Sequence, residues 1–175
     1  KIPMQTTGNF CSLYFHIPFC TRKCPYCHFY VIPNKKSFHP LLAEGFEREW
    51  ELRKEALSKQ TIVSVYFGGG TPSLFGPDQI GKVLSRIQNL SPDTEITLEA
   101  NPEEASYELL KDFRSVGINR LSLGVQSLDD RSLQTLERAH SAAKAKEAMF
   151  SAQRAGFDNI SIDLMYDLPH QTESS

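Results

Sequence analysis

The feature that most constrains the fold of this chain is a regular alternation between short apolar runs and amphipathic segments. Strands alternating with helices in this way are typical of βαβ units, in which the strands lie parallel. We therefore predict an α/β fold with one parallel sheet, and ligands at the carboxyl ends of its strands. Strands are predicted over 10–17, 61–67, 95–99, 119–125 and 159–163, and helices over 39–57, 77–87, 107–116, 129–137 and 141–155.

Composition restricts the class of protein. The 175 residues are 40% hydrophobic and 23% charged, as in an ordinary globular domain. The formal net charge is -2 and the basic residues are dispersed, which argues against a nucleic-acid partner. No apolar run is long enough for a transmembrane segment, and the N-terminus lacks the order of a signal peptide. We expect a cytoplasmic protein.

The alternation stops after the last predicted strand, without the helix that should cover it. We therefore expect a fragment of a longer protein. The predicted division is an N-terminal extension over residues 1–11 and an incomplete core over residues 12–175. Residues 20–34, with two prolines and most of the cysteines, are predicted to form a functional loop.

Three of the four cysteines, Cys20, Cys24 and Cys27, follow the first strand with C-x3-C-x2-C spacing. A structural zinc site normally has four ligands, and His28 is adjacent to Cys27, a position from which both side chains rarely reach one ion. A cubane iron-sulfur cluster can be held by three thiolates while its fourth iron stays open to an exchangeable ligand. The spacing favours a cluster, and structural or zinc-binding cysteines are the alternative.

This motif, after the first strand of a βα series, resembles that of the radical S-adenosylmethionine superfamily. The resemblance implies that Cys20, Cys24 and Cys27 bind a [4Fe-4S] cluster whose open iron chelates S-adenosylmethionine. It implies reductive cleavage of the sulfonium to methionine and a 5'-deoxyadenosyl radical, with an electron donor such as a flavodoxin or ferredoxin. The implied fold is a partial, open (β/α) TIM-like barrel with five of an expected six βα units.

Glycines and polar residues near the predicted strand ends match such a site. Gly69, Gly70 and Thr71 follow the second strand, where glycines let a ligand approach the backbone and expose groups suited to a methionyl ammonium. Arg138 offers a planar fork to a carboxylate. Tyr26 can pack against an adenine. Glycines also simply turn chains, which is the alternative for this segment.

Three further polar residues lie at or beside strand ends. Gln126 and Asp163 can take up two ribose hydroxyls, and Glu99 can hold an ammonium or a second bound group. Carboxylates and amides also cap helices and stabilise loops, and this alternative applies to each. Tyr14 is the least specific candidate for the cofactor, because an aromatic residue in the first strand usually belongs to the core.

Five segments, 14–20, 68–72, 98–102, 121–126 and 162–169, resemble the oxygen-independent coproporphyrinogen III oxidase family. That family contains the HemN oxidases, which decarboxylate two propionates of coproporphyrinogen III, and the HemW-like proteins, taken to be heme chaperones. The oxidases typically carry a fourth cysteine two residues after the third. Phe29 occupies that position here and favours the HemW-like branch.

The HemW-like branch implies binding of the cluster, S-adenosylmethionine and heme, with heme bound mostly outside this fragment and passed to an unidentified acceptor protein. The alternative is an oxidase that converts the porphyrinogen to protoporphyrinogen IX. Two residues depart from the family pattern: His28 replaces an aspartate, and Asp167 replaces a glycine. If that glycine has positive φ, we expect the backbone at Asp167 to be strained.

Overall fold

The computed structural model describes residues 9–88, 90–169 and 171, and its main feature is a five-stranded sheet. Its strands lie in the order β1 (Phe10–Ile17), β4 (Thr61–Gly69), β5 (Leu90–Ala100), β6 (Arg120–Gln126) and β7 (Asn159–Leu164). All four strand pairings are parallel. This confirms the predicted α/β fold. In chain order the elements are β1 (Phe10–Ile17), β2 (Phe19–Cys20), β3 (Ile32–Pro33), α1 (His39–Leu57), β4 (Thr61–Gly69), α2 (Pro77–Arg86), β5 (Leu90–Ala100), α3 (Tyr107–Ser115), β6 (Arg120–Gln126), α4 (Asp130–Thr135), α5 (Ala142–Arg154) and β7 (Asn159–Leu164).

The core lies on one face of the central strands. Phe67 of β4, Leu98 of β5 and Leu121 of β6 are fully buried, and they share this face because they are paired in register across the three strands. Ala148 and Ala152 of α5 are also fully buried. Because alanine side chains are small, this helix can pack closely against its neighbours. None of the helices in the described part of the chain is long and apolar enough to cross a membrane.

The cysteine loop contains a short strand pair that the sequence did not predict. β2 and β3 pair in parallel, with Cys20 opposite Pro33. The Asn34 N–H donates to the Cys20 carbonyl at 2.9 Å, and the Ile32 N–H donates to the Pro18 carbonyl at 2.8 Å. Two-residue strands show no periodicity, so the pattern could not predict them. The pairing connects the end of the loop to the segment that carries the first cysteine.

β5 begins at Leu90, five residues before the predicted start, and its pairing with β4 shifts register between Ile62 and Ser64. The early part of the strand contains Pro92 and Asp93, residue types that are unfavourable in strands. Propensity therefore misplaced the boundary. The proposed domain division stays a prediction, since residues 1–8 and most of the C-terminal tail fall outside the described residues; Phe10 and Cys11 belong to β1.

The backbone at Asp167 has φ of 60°, in the left-handed region. The expected strain at this departure from the family pattern is therefore present, because a side chain with a Cβ is disfavoured there. Aspartate tolerates this conformation better than most residues.

Candidate cofactor site

The carboxyl ends of the sheet strands surround a cavity of about 240 Å³. This is the edge of the sheet at which parallel α/β folds bind ligands. Every predicted site residue except Tyr14 is among the residues that line it. These are Cys20, Cys24, Tyr26, Cys27, Gly69, Gly70, Thr71, Glu99, Gln126, Arg138 and Asp163.

Tyr14 lies beside the cavity against another tyrosine. Its ring stacks on Tyr66 with centroids 6.0 Å apart, and its hydroxyl is 3.2 Å from Nδ1 of His16. The side chain is 59% exposed, so it is not a core residue either. Partial burial and the charge of Glu99 raise the pKa of Tyr14.

The three motif cysteines are free, half-buried thiols. The Cys27 N–H donates to the Cys24 carbonyl at 3.0 Å. The turn closed by this hydrogen bond brings the two residues close together. Burial raises the pKa of Cys20, a hydrogen bond with Thr71 opposes this, and the charges of Cys27 and Cys24 raise it further. The three sulfurs are thus close enough to interact electrostatically.

Within residues 9–88, 90–169 and 171, no three His, Cys, Asp or Glu side chains are arranged as ligands of a single metal ion. A [4Fe-4S] cluster requires a different arrangement of ligands, because it is a cube of several irons and each thiolate binds a separate iron. Its ligands surround a volume and do not converge on one point. The three thiols lining one cavity meet that looser requirement.

The glycine segment packs against the backbone that carries the cysteines. A Cβ on Gly70 would lie 2.6 Å from the Phe19 carbonyl oxygen, closer than real Cβ contacts. The Thr71 N–H donates to the same oxygen at 2.7 Å. Gly69 has φ of 124°, a conformation that favours glycine. The sequence suggested glycines that admit a ligand, but Gly70 is needed first for contact between two segments of the chain itself.

Glu99 is held at the end of β5 by two donors. The Tyr66 hydroxyl donates to Oε1 at 2.8 Å, and the Gly69 N–H donates to Oε2 at 3.1 Å. Burial raises the pKa of Glu99 despite these hydrogen bonds. Tyr66 was not predicted as a site residue, because an aromatic residue within a strand is usually predicted to lie in the hydrophobic core.

Arg138 connects several parts of the site. Its Nη2 donates to the Asn101 side-chain oxygen at 2.7 Å and to the Gly124 carbonyl at 2.8 Å. Its Nη1 makes longer contacts with Cys24 Sγ at 3.6 Å and with the Tyr26 hydroxyl at 3.4 Å. Asn101 also donates to Thr71, at 3.1 Å, and was not predicted. Its position two residues beyond Glu99, within segment 98–102 that resembles the family, could have indicated it.

Gln126 and Asp163 end neighbouring strands. Gln126 has φ of 67°, and its carbonyl accepts a 2.9 Å hydrogen bond from the Met165 N–H. The Ser122 hydroxyl on β6 donates to the Asp163 carboxylate on β7 at 3.2 Å. An amide and a carboxylate therefore face one cavity from adjacent strands, and both retain hydrogen-bonding capacity.

Comparison with known proteins identifies the family. Residues 14–175 match the family model described as Radical SAM superfamily. The chain belongs to the radical SAM superfamily. This radical SAM chain is 40% identical over 170 residues to "Heme chaperone HemW" of Haemophilus influenzae, a match that covers 92% of this chain and 44% of that protein.

Two other relatives extend the comparison. "Radical S-adenosyl methionine domain-containing protein 1, mitochondrial" of Danio rerio is 40% identical over 177 residues, covering 99% of this chain and 39% of that protein. The structure of coproporphyrinogen III oxidase (HemN) from Escherichia coli superposes with a TM-score of 0.86 at 30% identity, covering 96% of this chain and 40% of the oxidase. The radical SAM chain spans less than half the length of these relatives.

The residues present fit the cofactors that the superfamily implies. Three free thiols line the cavity, a donor set suited to iron. Arg138 Nε is buried without a hydrogen-bond partner among the described residues, and the Nη1 contacts are long. The guanidinium therefore has donors available for a ligand carboxylate.

Proposed function

We propose that this radical SAM domain belongs to a HemW-like heme chaperone and binds a [4Fe-4S] cluster and S-adenosylmethionine in the strand-end cavity. The observation that carries the proposal is the composition of the cysteine loop. Three motif cysteines and Phe29 line one cavity, and Phe29 stands where the oxidases carry a further cysteine. The 40% identity to a protein named heme chaperone HemW supports the same choice.

In this proposal Cys20, Cys24 and Cys27 hold the cluster. Arg138 binds the S-adenosylmethionine carboxylate through donors that the protein leaves available. Glu99, fixed by Tyr66, faces the ammonium. The chemistry that a bound, reduced cluster supplies is one-electron cleavage of the sulfonium.

The remaining residues orient the nucleoside. From two adjacent strands, the Asp163 carboxylate would accept hydrogen bonds from the ribose hydroxyls, and the Gln126 amide could accept from them or donate to them. Tyr26, whose pKa is raised by burial, packs against the adenine. The proposed partners are heme, an acceptor protein for that heme, and an electron donor of the flavodoxin or ferredoxin class. We place the protein in the cytoplasm.

An oxidase is the second candidate, because the fold superposes closely on HemN. The full-length protein, reconstituted anaerobically with iron and sulfide, is incubated with S-adenosylmethionine, reductant and either coproporphyrinogen III or heme. Stable heme binding without turnover supports the chaperone. Formation of protoporphyrinogen IX would reject it in favour of the oxidase.

The cluster itself is tested with serine variants. Replacement of Cys20, Cys24 or Cys27 by serine is expected to abolish iron-sulfur absorbance and the EPR signal after reduction. Cys11→Ser is the matched control, because Cys11 lies in β1, outside the motif. Purified parent protein that retained zinc and gave no iron-sulfur absorbance after reconstitution would contradict both candidate functions.

A further inference from the structure

A buried histidine stands two residues from the proposed carboxylate-binding arginine. The side chain of His140 is completely buried. One ring nitrogen, Nε2, is 3.0 Å from the Val125 carbonyl, and the other, Nδ1, is 3.1 Å from Oε2 of Glu103. Both hydrogen-bonding positions of the ring are therefore used within the protein, and the ring has none left for a ligand.

The contacts of His140 resemble those of Arg138, displaced by two residues in the loop after β5 and by one residue on β6. Arg138 joins Asn101, in the loop after β5, to the Gly124 carbonyl of β6. His140 joins Glu103, in the same loop, to the carbonyl of Val125. Two side chains from the connection between α4 and α5 thus bridge the same two segments.

The connection that carries both side chains has no regular secondary structure of its own over residues 138–140. It follows a residue, Glu137, with φ of 52°. The Arg138 N–H donates to the Leu133 carbonyl of α4 at 2.8 Å, which fixes the backbone at this residue. This bond does not orient the guanidinium, because several rotatable side-chain bonds separate it from the backbone. Side-chain contacts must supply that orientation.

We propose that His140 and Glu103 form a positioning pair that holds Arg138 in the orientation required to bind the carboxylate of S-adenosylmethionine. The inference rests on the proposed function, since it assumes that Arg138 binds this carboxylate. Burial by itself raises the pKa of Glu103. The hydrogen bond with His140 and several smaller interactions outweigh burial, so the pKa of Glu103 lies below its ordinary value. The interaction is therefore favourable for the charged carboxylate.

The test compares two ligands that differ at the group that Arg138 is proposed to bind. S-adenosylmethionine carries the amino-acid carboxylate, whereas 5'-methylthioadenosine lacks the whole amino-acid arm, carboxylate and ammonium together, and the sulfonium charge. Glu103 and His140 contact neither Glu99 nor Tyr66 among the hydrogen bonds described, so a loss specific to S-adenosylmethionine in their variants is assigned to Arg138. Affinities are measured on the reconstituted full-length protein, by calorimetry for the first ligand and by competition for the second. His140→Ala and Glu103→Ala are each expected to weaken S-adenosylmethionine binding about tenfold, as for loss of one charge-assisted hydrogen bond. Affinity for methylthioadenosine should stay within about twofold.

Two variants separate positioning from stability. Glu103→Gln keeps a hydrogen-bonding group beside His140 and should retain affinity within about threefold. Asn119→Ala is the matched structural control. Asn119, directly before β6, also joins two backbone segments: its side chain accepts from the Ile96 N–H of β5 at 2.7 Å and donates to the Thr94 carbonyl at 2.8 Å, away from the carboxyl ends of the strands. It should lower the free energy of unfolding, measured with urea, without altering either affinity.

The double variant H140A/E103A should bind S-adenosylmethionine no more weakly than either single variant, because the two residues act as one unit. Equal losses for both ligands, or unchanged S-adenosylmethionine binding in His140→Ala, would overturn the positioning role while leaving the proposed function standing. A parent protein that bound no S-adenosylmethionine would instead reject the proposed function, and the inference with it.

Discussion

Replacement of Glu104 by glutamine should stabilise the protein at neutral and alkaline pH. Burial, followed by the charge of Glu103, raises the pKa of Glu104 to about 7, although Arg138 lowers it in part. One carboxylate oxygen, Oε2, is buried and lacks a hydrogen-bond partner among the described residues. Folding above this pH therefore keeps a charge in surroundings that solvate it poorly.

The magnitude follows from the difference between the pKa of about 7 and the ordinary value of 4.5. At about 1.36 kcal/mol per pKa unit this difference corresponds to roughly 3 kcal/mol. The side chain retains some solvent access, so we expect about 1–2 kcal/mol. Because the folded state has the higher pKa, it binds the proton more tightly. The destabilisation is full above pH 7 and disappears as the pH falls towards 4.5.

Urea unfolding of the metal-free, full-length protein, followed by circular dichroism, measures this difference. The Glu104→Gln variant should be more stable than the parent at about pH 8 and equal to it near pH 4.5. Glu55→Gln, at an exposed position of α1, is the control for loss of a negative charge. If Glu104→Gln differed from the parent by the same free energy at both pH values, the argument from burial of the charge would be refuted.

Three further substitutions test the structure around the site. Tyr66→Phe removes the 2.8 Å hydrogen bond to Glu99 and should lower the free energy of unfolding at alkaline pH by about 1–2 kcal/mol, measured with urea; an unchanged value would contradict the contact. Gly70→Ala places a Cβ against the Phe19 carbonyl. We expect the free energy of unfolding to fall by about 1–3 kcal/mol and the iron content after reconstitution to be lower. Full iron incorporation would show that the segments that carry Gly70 and Phe19 can separate. Asp167→Gly should raise the free energy of unfolding, measured with urea, by about 0.5 kcal/mol, since relief of the left-handed backbone outweighs the added freedom of the unfolded chain; a lower free energy of unfolding would contradict this reasoning.

The regular elements could be predicted because their signals are local. The apolar run at Thr61–Gly69 and the periodic pattern at His39–Leu57 are visible within single windows of sequence. The cysteines could be singled out because their spacing is itself chemical information. The short strands β2 and β3 could not be predicted, since two residues carry no period and their partner lies elsewhere in the chain.

The supporting residues of the site escaped prediction for a different reason. Tyr66 contacts Glu99 across 33 positions in the sequence, and His140 contacts Glu103 across 37. Such contacts depend on which strands become neighbours and on which side chains face the same edge of the sheet. Residue type favours a core role for a strand tyrosine and leaves an isolated histidine unassigned, so only the assembled sheet shows their positions.

The electrostatics of the cavity connect the cysteines to the positioning of Arg138. Burial and the neighbouring cysteine charges make ionisation of Cys20 unfavourable in the protein alone. Positive charge near a thiol favours its thiolate form. Arg138 supplies part of that charge, because it reaches Cys24 while Asn101 and Gly124 hold its other amino group. A displacement of Arg138 would thus weaken the proposed recognition of the carboxylate and also remove positive charge from beside the thiols, which links the loop after β5 to both parts of the proposed site.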